Sequence, residues 1–271
     1  MKTKSLSIFL VALFVVEMNI GTEEEMPFEE EKNNDDKNEK NKGIEYKIIK
    51  GKIPTYNFSL KMVLIGDDKV GKSALITKIC NDNFSEGYNA TLGFEYFILG
   101  FNIVSDEDKP VLKYEIWDCC GQENYRALIT SFYNNARVFL LAYDVTNVKS
   151  FEDIDVWLKT AKEKNDGEIE HFVLIGTKID LNDDRKVTKE IAQKFAEEKG
   201  MKFVEVSAKT GEGIEKLENI LEEIIFEEFK KYKEKNKKII EDGIEYDSIM
   251  EEKHTHSSSL CDWCKEICGN C

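Results

Sequence analysis

The sequence predicts an α/β fold in which a six-stranded, mostly parallel sheet is covered by helices on both faces. Between residues 56 and 230, short β-branched runs alternate with stretches whose apolar residues recur at the helical period of about 3.6. Strands that alternate with helices imply crossover connections, which make neighbouring strands parallel. The connection 105–110 is too short for a crossover, so we expect a hairpin there and one antiparallel edge strand.

Each element follows from the local pattern. The strand-like runs span 58–65, 94–104, 111–117, 138–144, 172–177 and 202–206. The helical stretches lie near 72–81, 123–135, 150–164, 188–199 and 213–235. Ligand sites in parallel sheets lie at the carboxyl ends of the strands, so we expect the functional residues at that edge.

The composition excludes several classes of protein. The 271 residues are 41% hydrophobic, which is enough for one core, and the 16 glycines show no collagen-like period. The formal net charge is −15, which argues against a general nucleic-acid-binding protein because affinity for phosphate backbones comes from Lys and Arg. No apolar run approaches the ~20 residues of a membrane-spanning helix.

Both ends of the chain differ from the central domain, which we assign to residues 56–230. Residues 1–20 resemble a secretory signal without a clear cleavage site; they are either a true signal or interfacial anchor, or a start that the cell does not use. Residues 21–55 are predicted to be a disordered acidic extension, because ten acidic residues lie in 21–45. Residues 231–271 are predicted to be a flexible tail with a Cys-rich end.

The phosphate-binding motif is the most specific local signal. Residues 66–73 fit G-x-x-x-x-G-K-[ST], and they follow a predicted strand and open a predicted helix, as the motif requires. Backbone N–H groups of such a loop wrap phosphates, Lys72 reaches the β- and γ-phosphates, and the Ser73 hydroxyl is offered to Mg²⁺. Asp68 and Lys69 are unusual, because large side chains crowd the γ-phosphate and a carboxylate would repel it.

Further motifs occur at fixed intervals after this loop. Thr91 stands eighteen residues beyond Ser73, and W-D-C-C-G-Q-E spans 117–123. T-K-I-D at 177–180 and S-A-K at 207–209 follow two later strands. Together, these motifs resemble those of Ras-superfamily small GTPases, most closely the Rab family, over residues 56–230.

This resemblance implies an expected role for each residue around the phosphates. Thr91 would coordinate Mg²⁺ and meet the γ-phosphate, Asp118 would hold Mg²⁺ through a water, and Gly121 would donate its N–H to the γ-phosphate. Gln122 would orient the attacking water. The expected metal ligands are Ser73, Thr91 and Asp118, and the expected catalytic residues are Gln122, Lys72 and Thr91.

The resemblance also implies a guanine site. Asp180 would accept both hydrogen bonds from the guanine edge, Lys178 would cover the base, and the Ala208 N–H would meet the guanine O6, while Phe84 would pack against the base. Thr177 replaces the commoner Asn of this motif. The residues assigned to the nucleotide are Gly66, Asp67, Asp68, Lys69, Val70, Gly71, Lys72, Ser73, Ala74, Phe84, Thr91, Gly121, Thr177, Lys178, Asp180, Ser207, Ala208 and Lys209.

The function that the resemblance implies is a GTP-hydrolysing switch in vesicle trafficking, with GTP/GDP and Mg²⁺ as ligands. Effectors, an exchange factor and a GTPase-activating protein would bind a monomer through residues near 84–96 and 118–133. Trp117, Phe132 and Trp157 are assigned to the core or to a partner-facing surface. An alternative is a scaffold that binds GTP without hydrolysing it, because Asp68 and Lys69 alter the loop. A membrane-receptor subunit is a third hypothesis, but the apolar run near the start is too short for its anchor.

The cysteines indicate location and modification. Three lie in the body, as in a reduced intracellular protein, and Cys261, Cys264, Cys268 and Cys271 lie in the last eleven residues. The resemblance implies prenylation of Cys268 and Cys271, and hence the cytoplasmic face of an intracellular membrane, in exchange with the cytosol. The C-x₂-C-x₃-C-x₂-C spacing also permits a zinc site, and unmodified cysteines are a third alternative.

Overall fold

A computed structural model describes residues 46–53, 55–87, 91, 93–104, 108–122, 129–167 and 169–241. The strands are β1 (Tyr46–Lys50), β2 (Phe58–Gly66), β3 (Phe94–Ile103), β4 (Val111–Cys119), β5 (Val138–Asp144), β6 (His171–Thr177) and β7 (Lys202–Glu205). The α-helices are α1 (Lys72–Asn81), α2 (Val148–Glu152), α3 (Ile154–Lys164), α4 (Lys189–Lys199) and α5 (Ile214–Glu241). The predicted signal-like segment and the Cys-rich end lie outside the described residues.

The described part of the chain forms one sheet in the order β1-β3-β4-β2-β5-β6-β7. Strands β4, β2, β5, β6 and β7 run parallel to one another, which confirms the predicted parallel sheet. Strand β3 pairs antiparallel with β4 and confirms the predicted hairpin. Strand β1 is a seventh strand, antiparallel to β3, so the prediction of six strands with one antiparallel edge strand is one strand short.

Strand β1 lies inside 21–55, the stretch that the sequence assigns to a disordered extension. Its first residue, Tyr46, packs its ring 6.0 Å from the rings of Phe101 and Phe226. The Tyr46 hydroxyl donates to Asn219 Oδ1 at 3.2 Å. These partners belong to β3 and α5, far away in the sequence. The local acidic composition therefore gives no sign of the strand.

Alternating residues of β2 build the core on both faces of the sheet. Met62 and Leu64 pack with residues of α1 and α5, whereas Val63 and Ile65 pack with residues of α3 and α4. All four side chains are fully buried. This alternation confirms helices on both faces and gives the sheet the doubly covered core that its apolar strands require.

Two predicted helices differ from the structure. The stretch 150–164 forms two helices, α2 and α3, which are divided at Asp153. Helix α2 begins earlier than predicted because Asn147 caps it: its side chain accepts hydrogen bonds from the backbone N–H groups of Lys149 and Ser150. Of the stretch 123–135, the described part contains a 3₁₀ helix, Thr130–Tyr133.

Helix α5 extends into the stretch 231–271 that the sequence assigns to a flexible tail. Tyr232 packs 5.3 Å from the ring of Phe58. One turn earlier, the buried Glu228 accepts a hydrogen bond from Arg137 at 3.0 Å. These contacts anchor the helix beyond residue 230. Among the described helices, none is both long enough and apolar enough to cross a membrane.

The carboxyl ends of the parallel strands gather the predicted motifs at one edge of the sheet. The loop after β2 carries residues 66–73, and the end of β4 leads into 118–122. The ends of β6 and β7 carry 177–180 and 207–209. The fold therefore brings together motifs that lie far apart in the sequence, as expected for a parallel α/β sheet.

Candidate nucleotide site

The loop between β2 and α1 encloses its own lysine. Lys72 Nζ donates to the carbonyl oxygens of Gly66 at 2.9 Å and Asp67 at 2.7 Å, and the residue is only 6% exposed. Burial lowers the pKa of Lys72, while the charges of Asp118 and Asp68 act in the opposite direction. A buried cation beside the first turn of a helix is suited to a multiply charged anion.

The backbone of this loop depends on residues with positive φ. Gly66 has a φ of +147°, and a Cβ there would lie 2.2 Å from the carbonyl oxygen of Ala142. Gly71 has a φ of +99° and caps α1. Lys69 also has a positive φ of 63°, a backbone conformation that residues other than Gly rarely adopt. The loop therefore keeps a conformation that the side chain of Lys69 does not favour.

Three oxygen-bearing side chains meet beside the loop. The Ser73 and Thr91 hydroxyl oxygens are 2.8 Å apart. Asp118 is fully buried, and neither of its carboxylate oxygens has a hydrogen-bond partner within the described residues. Burial raises the pKa of Asp118 to about 6, although Ser73 and Lys72 act in the opposite direction. Hydroxyl and carboxylate oxygens are the ligands that Mg²⁺ prefers, so this donor set fits a magnesium ion.

The segment after β4 packs directly on the phosphate loop. A Cβ on Gly121 would lie 2.3 Å from the carbonyl carbon of Asp67 and 2.4 Å from the nitrogen of Asp68, so only glycine fits there. The N–H of Cys120 donates to the carbonyl of Gly93 at 2.9 Å. Gln122 is half-buried next to Gly121. The hydrogen bond from Cys120 to Gly93 therefore joins the segment that carries Thr91 to the segment that carries Gln122.

The T-K-I-D residues hold the other end of the site. The Thr177 hydroxyl lies within hydrogen-bond distance of the carbonyl oxygens of Val70, at 2.5 Å, and Tyr143, at 2.8 Å. Lys178 Nζ donates to the carbonyl of Lys69 at 2.7 Å. Thr177 thus contacts the phosphate loop itself, although it replaces the commoner Asn.

Asp180 is oriented by the S-A-K loop. The Ser207 hydroxyl donates to Asp180 Oδ1 at 2.6 Å and accepts from the N–H of Thr210 at 3.1 Å. Ser207 is fully buried, and Asp180 is half-buried. A carboxylate held in this way can present its outer edge to a base with two neighbouring donors.

The remaining predicted residues lie around these contacts. Ala74 is half-buried in α1, and Ala208 is half-buried between Ser207 and Lys209. Phe84 is also half-buried, but no ring contact or hydrogen bond described here joins it to the other predicted residues.

Three contacts involve residues to which the sequence assigns no role at the site. Their donor and acceptor atoms are Trp157 Nε1 and Asp67 Oδ1 at 2.8 Å, Lys178 Nζ and Asp144 Oδ2 at 2.7 Å, and Lys209 Nζ and Glu86 Oε1 at 3.0 Å. Asp144 ends a fully buried strand, which is a signal that sequence reasoning could have used. Trp157 and Glu86 carry no such signal.

An aromatic cluster lies next to these segments. The ring centroids of Phe94, Trp117 and Phe132 are 4.3–5.2 Å apart. Tyr96, which is 46% exposed, lies 5.5 Å from Trp117. The cluster falls within or beside the ranges 84–96 and 118–133, of which residues 88–90, 92 and 123–128 lie outside the described part.

Comparison with known proteins agrees with this geometry. A sequence model of the Ras family matches residues 61–227. Ras-related protein Rab-8B from Homo sapiens is 37% identical over 161 residues, covering 59% of this chain and 75% of that protein. Ras-related protein Rab-13 from Mesocricetus auratus is 39% identical over 166 residues, covering 61% and 79%.

The matched range contains the phosphate loop, the paired hydroxyls with Asp118, and the T-K-I-D and S-A-K motifs. The family match therefore covers the same residues that the fold gathers at one edge of the sheet. The chain belongs to the Ras family, as a Rab-type small GTPase that hydrolyses GTP.

Proposed function

We propose that the chain is a switch in intracellular membrane trafficking that binds GTP or GDP with Mg²⁺ and binds effectors in its GTP form. The observation that carries this proposal is the meeting of the Ser73 and Thr91 hydroxyls, 2.8 Å apart, beside the buried carboxylate of Asp118. A metal held by these three residues would lie next to Lys72 and the first turn of α1. That is where the β- and γ-phosphates of a nucleotide would lie.

In this proposal, Asp180 selects guanine. Its carboxylate accepts hydrogen bonds from the two neighbouring N–H donors of guanine, an arrangement that adenine lacks. Ser207 supports this role because it fixes Asp180 Oδ1. Lys178 supplies its methylene groups to the face of the base, while its ammonium is held by Asp144 at 2.7 Å. Phe84, Ala208 and Lys209 complete the base end of the site.

Hydrolysis forms a bond between a water oxygen and the γ-phosphorus and breaks the bond from that phosphorus to the β–γ bridging oxygen. The products are GDP and inorganic phosphate, which takes up the water proton. Lys72 stabilises the charge that develops on the phosphate oxygens, the Gly121 N–H donates to the γ-phosphate, and Gln122 orients the water. Bound Mg²⁺ would neutralise charge on the β- and γ-phosphate oxygens. Intrinsic turnover should be slow, because the two arginines in the described part of the chain are engaged elsewhere: Arg137 pairs with Glu228 and Arg185 pairs with Glu205.

Loss of the γ-phosphate would release two segments together. Thr91 and Gly121 would contact that phosphate only in the GTP form. The hydrogen bond from Cys120 N–H to the Gly93 carbonyl couples their segments at 2.9 Å. The aromatic cluster of Phe94, Trp117 and Phe132 adjoins both. Effectors that bind there would therefore respond to the nucleotide state.

Asp68 favours a second candidate, a scaffold that binds GTP but hydrolyses it negligibly. This carboxylate is half-buried in the phosphate loop, and its charge acts on Lys72. A carboxylate so placed repels the γ-phosphate oxygens. We retain hydrolysis because the chain belongs to a family of GTPases. Lys72 and Gly121 also both contact the backbone of the phosphate loop, and Gln122 adjoins Gly121.

The membrane role rests on Cys268 and Cys271, which lie outside the described residues. Two prenyl groups would anchor the chain stably on the cytoplasmic face of a membrane, since one chain gives only marginal binding. Mass spectrometry of the protein from its own cells tests this directly. Two prenylated cysteines are expected, whereas an unmodified Cys271 would contradict the lipid anchor.

Hydrogen exchange tests the switch itself. The protein is loaded with GDP or with a non-hydrolysable GTP analogue, and exchange is compared in 84–96 and 118–133, with β5 and β6 as internal references. We expect slower exchange in both ranges with the GTP analogue and no change in the reference strands. Equal exchange in the two nucleotide forms would contradict the proposed switch.

A further inference from the structure

Trp157 contacts the phosphate loop from within the apolar core. It lies in α3, is 1% exposed, and packs within the apolar cluster that also contains Val63 and Ile65. Its indole Nε1 donates to Asp67 Oδ1 at 2.8 Å, across ninety residues of sequence. The indole ring therefore contributes to the core, while its single polar group is directed at the loop.

Asp67 is the loop residue where two parts of the site meet. Its carbonyl oxygen accepts a hydrogen bond from Lys72 Nζ at 2.7 Å. Its backbone also forms the surface on which Gly121 rests, since a Cβ there would lie only 2.3 Å from the Asp67 carbonyl carbon. A displacement of Asp67 would therefore move both the phosphate-binding lysine and the segment that precedes Gln122.

The loop needs support from outside, because its own residues do not favour its shape. Lys69 has a φ of 63°, and such a conformation in a residue other than Gly is costly unless the surroundings enforce it. Lys178 and Thr177, at the end of β6, hold the carbonyls of Lys69 and Val70 at 2.7 Å and 2.5 Å. Both belong to the guanine motif, whereas Trp157 supports the loop from a helix that has no part in that motif.

We infer that Trp157 is a positioning residue for the phosphates of the nucleotide. Its N–H donates to Asp67, and through Asp67 it fixes the position of Lys72 and of the backbone against which Gly121 packs. Trp157 is buried and donates its indole N–H to Asp67, so it acts on binding and hydrolysis through the loop. This inference rests on the proposed nucleotide site and adds to it a residue from the core.

The test compares Trp157→Phe with the unchanged protein. The substitution keeps a large aromatic ring and removes the N–H. Release of a fluorescent GDP analogue is followed after addition of excess GDP, together with single-turnover GTP hydrolysis. A hydrogen bond to a charged group typically changes an equilibrium by about tenfold or more, so we expect release to be about tenfold faster and hydrolysis to be slower. Unchanged release and hydrolysis would overturn the inference.

A control separates positioning from a general loss of stability. Phe139→Leu alters a fully buried residue of the same apolar cluster, near the amino end of β5. We expect it to lower the urea midpoint without accelerating GDP release. If Phe139→Leu accelerates release as much as Trp157→Phe at equal loss of stability, Trp157 has only a structural role.

The Asp67 side of the contact gives a second test, which holds even if Trp157→Phe does not fold. Asp67→Ala removes the acceptor and should accelerate release, and Asp67→Asn should restore part of the loss because it keeps an acceptor oxygen. The double variant with Trp157→Phe should release GDP no faster than the faster single variant. Additive effects, or no rescue by Asn, would overturn the inference.

If the unchanged protein retains no guanine nucleotide, the proposed site itself fails, and this inference fails with it.

Discussion

The hydroxyl oxygen of Ser73 lies 2.8 Å from that of Thr91, although eighteen residues separate them. Ser73 belongs to the first turn of α1, and Thr91 lies shortly before β3. The buried carboxylate of Asp118 adds a third oxygen donor from the end of β4. A cation bound by these side chains would therefore connect three separate elements of the fold.

Ser73→Ala should lower the affinity for the Mg²⁺ on which nucleotide retention depends. Removal of one ligand oxygen should raise the Mg²⁺ concentration needed for half-maximal retention of a fluorescent GDP analogue by about tenfold or more. Thr77→Ala, on the same helix, is the matched control and should leave that concentration unchanged. If Ser73→Ala titrates like the unchanged protein, Ser73 is not a ligand.

Asp118 should make the metal-free protein sensitive to pH. Burial raises its pKa from 3.8 to about 6, so the unfolded chain loses this proton at lower pH than the folded protein does. Without metal, this group therefore lowers the free energy of unfolding as the pH rises from about 4 to about 6. Asp118→Asn should raise the free energy of unfolding at pH 7 by up to about 3 kcal/mol in EDTA, with little effect at pH 4.

Urea unfolding at pH 4–7 measures this effect. The same substitution should abolish the gain in stability that Mg²⁺ and GDP give to the unchanged protein, because the metal then lacks its charged ligand. A pH dependence identical in the two proteins would show that Asp118 is not the group responsible.

Asp68→Ser should accelerate hydrolysis. The substitution removes a carboxylate that acts on Lys72 and would repel the γ-phosphate, so we expect single-turnover hydrolysis to be roughly tenfold faster, or about 1.4 kcal/mol lower in barrier. Asp108→Ser, in the exposed turn before β4, serves as the control. If the unchanged protein hydrolyses GTP negligibly and Asp68→Ser hydrolyses it clearly, the chain acts as the GTP-binding scaffold. Equal rates of hydrolysis in the two proteins would show that Asp68 does not affect catalysis.

Gly100 and Ile53 should be energetically coupled. A Cβ at Gly100 would lie 2.2 Å from Ile53 Cδ1, so Gly100→Ala should lower the free energy of unfolding by about 1–3 kcal/mol through overpacking. Ile53→Val alone should cost about 1 kcal/mol, and in the Gly100→Ala background it should cost less or become stabilising, because Cδ1 is absent. Strictly additive urea midpoints would contradict this packing between the segment after β1 and the hairpin.

Local sequence patterns predicted those elements whose stabilising contacts repeat along the chain or belong to a motif. The six strands from 58 to 205 and the phosphate loop are of this kind. Strand β1 could not be predicted, because Tyr46 is stabilised by Phe101, Asn219 and Phe226 rather than by its neighbours in the sequence. The flanking acidic residues indicate disorder instead.

The site shows the same division. The residues that the motifs assign to phosphate, metal and base lie at one edge of the sheet, where Ser207 also donates a hydrogen bond to Asp180. The hydrogen bond from Trp157 to Asp67 spans ninety residues and depends on how α3 packs against the sheet. No pattern around Trp157 distinguishes it from an ordinary core aromatic residue.

Calorimetric titration with GDP and, separately, with ADP in the presence of Mg²⁺ tests the central claim most directly. With Asp180 held by Ser207 at the base end and Lys72 at the phosphate end, we predict tight binding of GDP and no measurable binding of ADP. Equal affinity for the two nucleotides, or no binding of either by folded protein, would contradict the account.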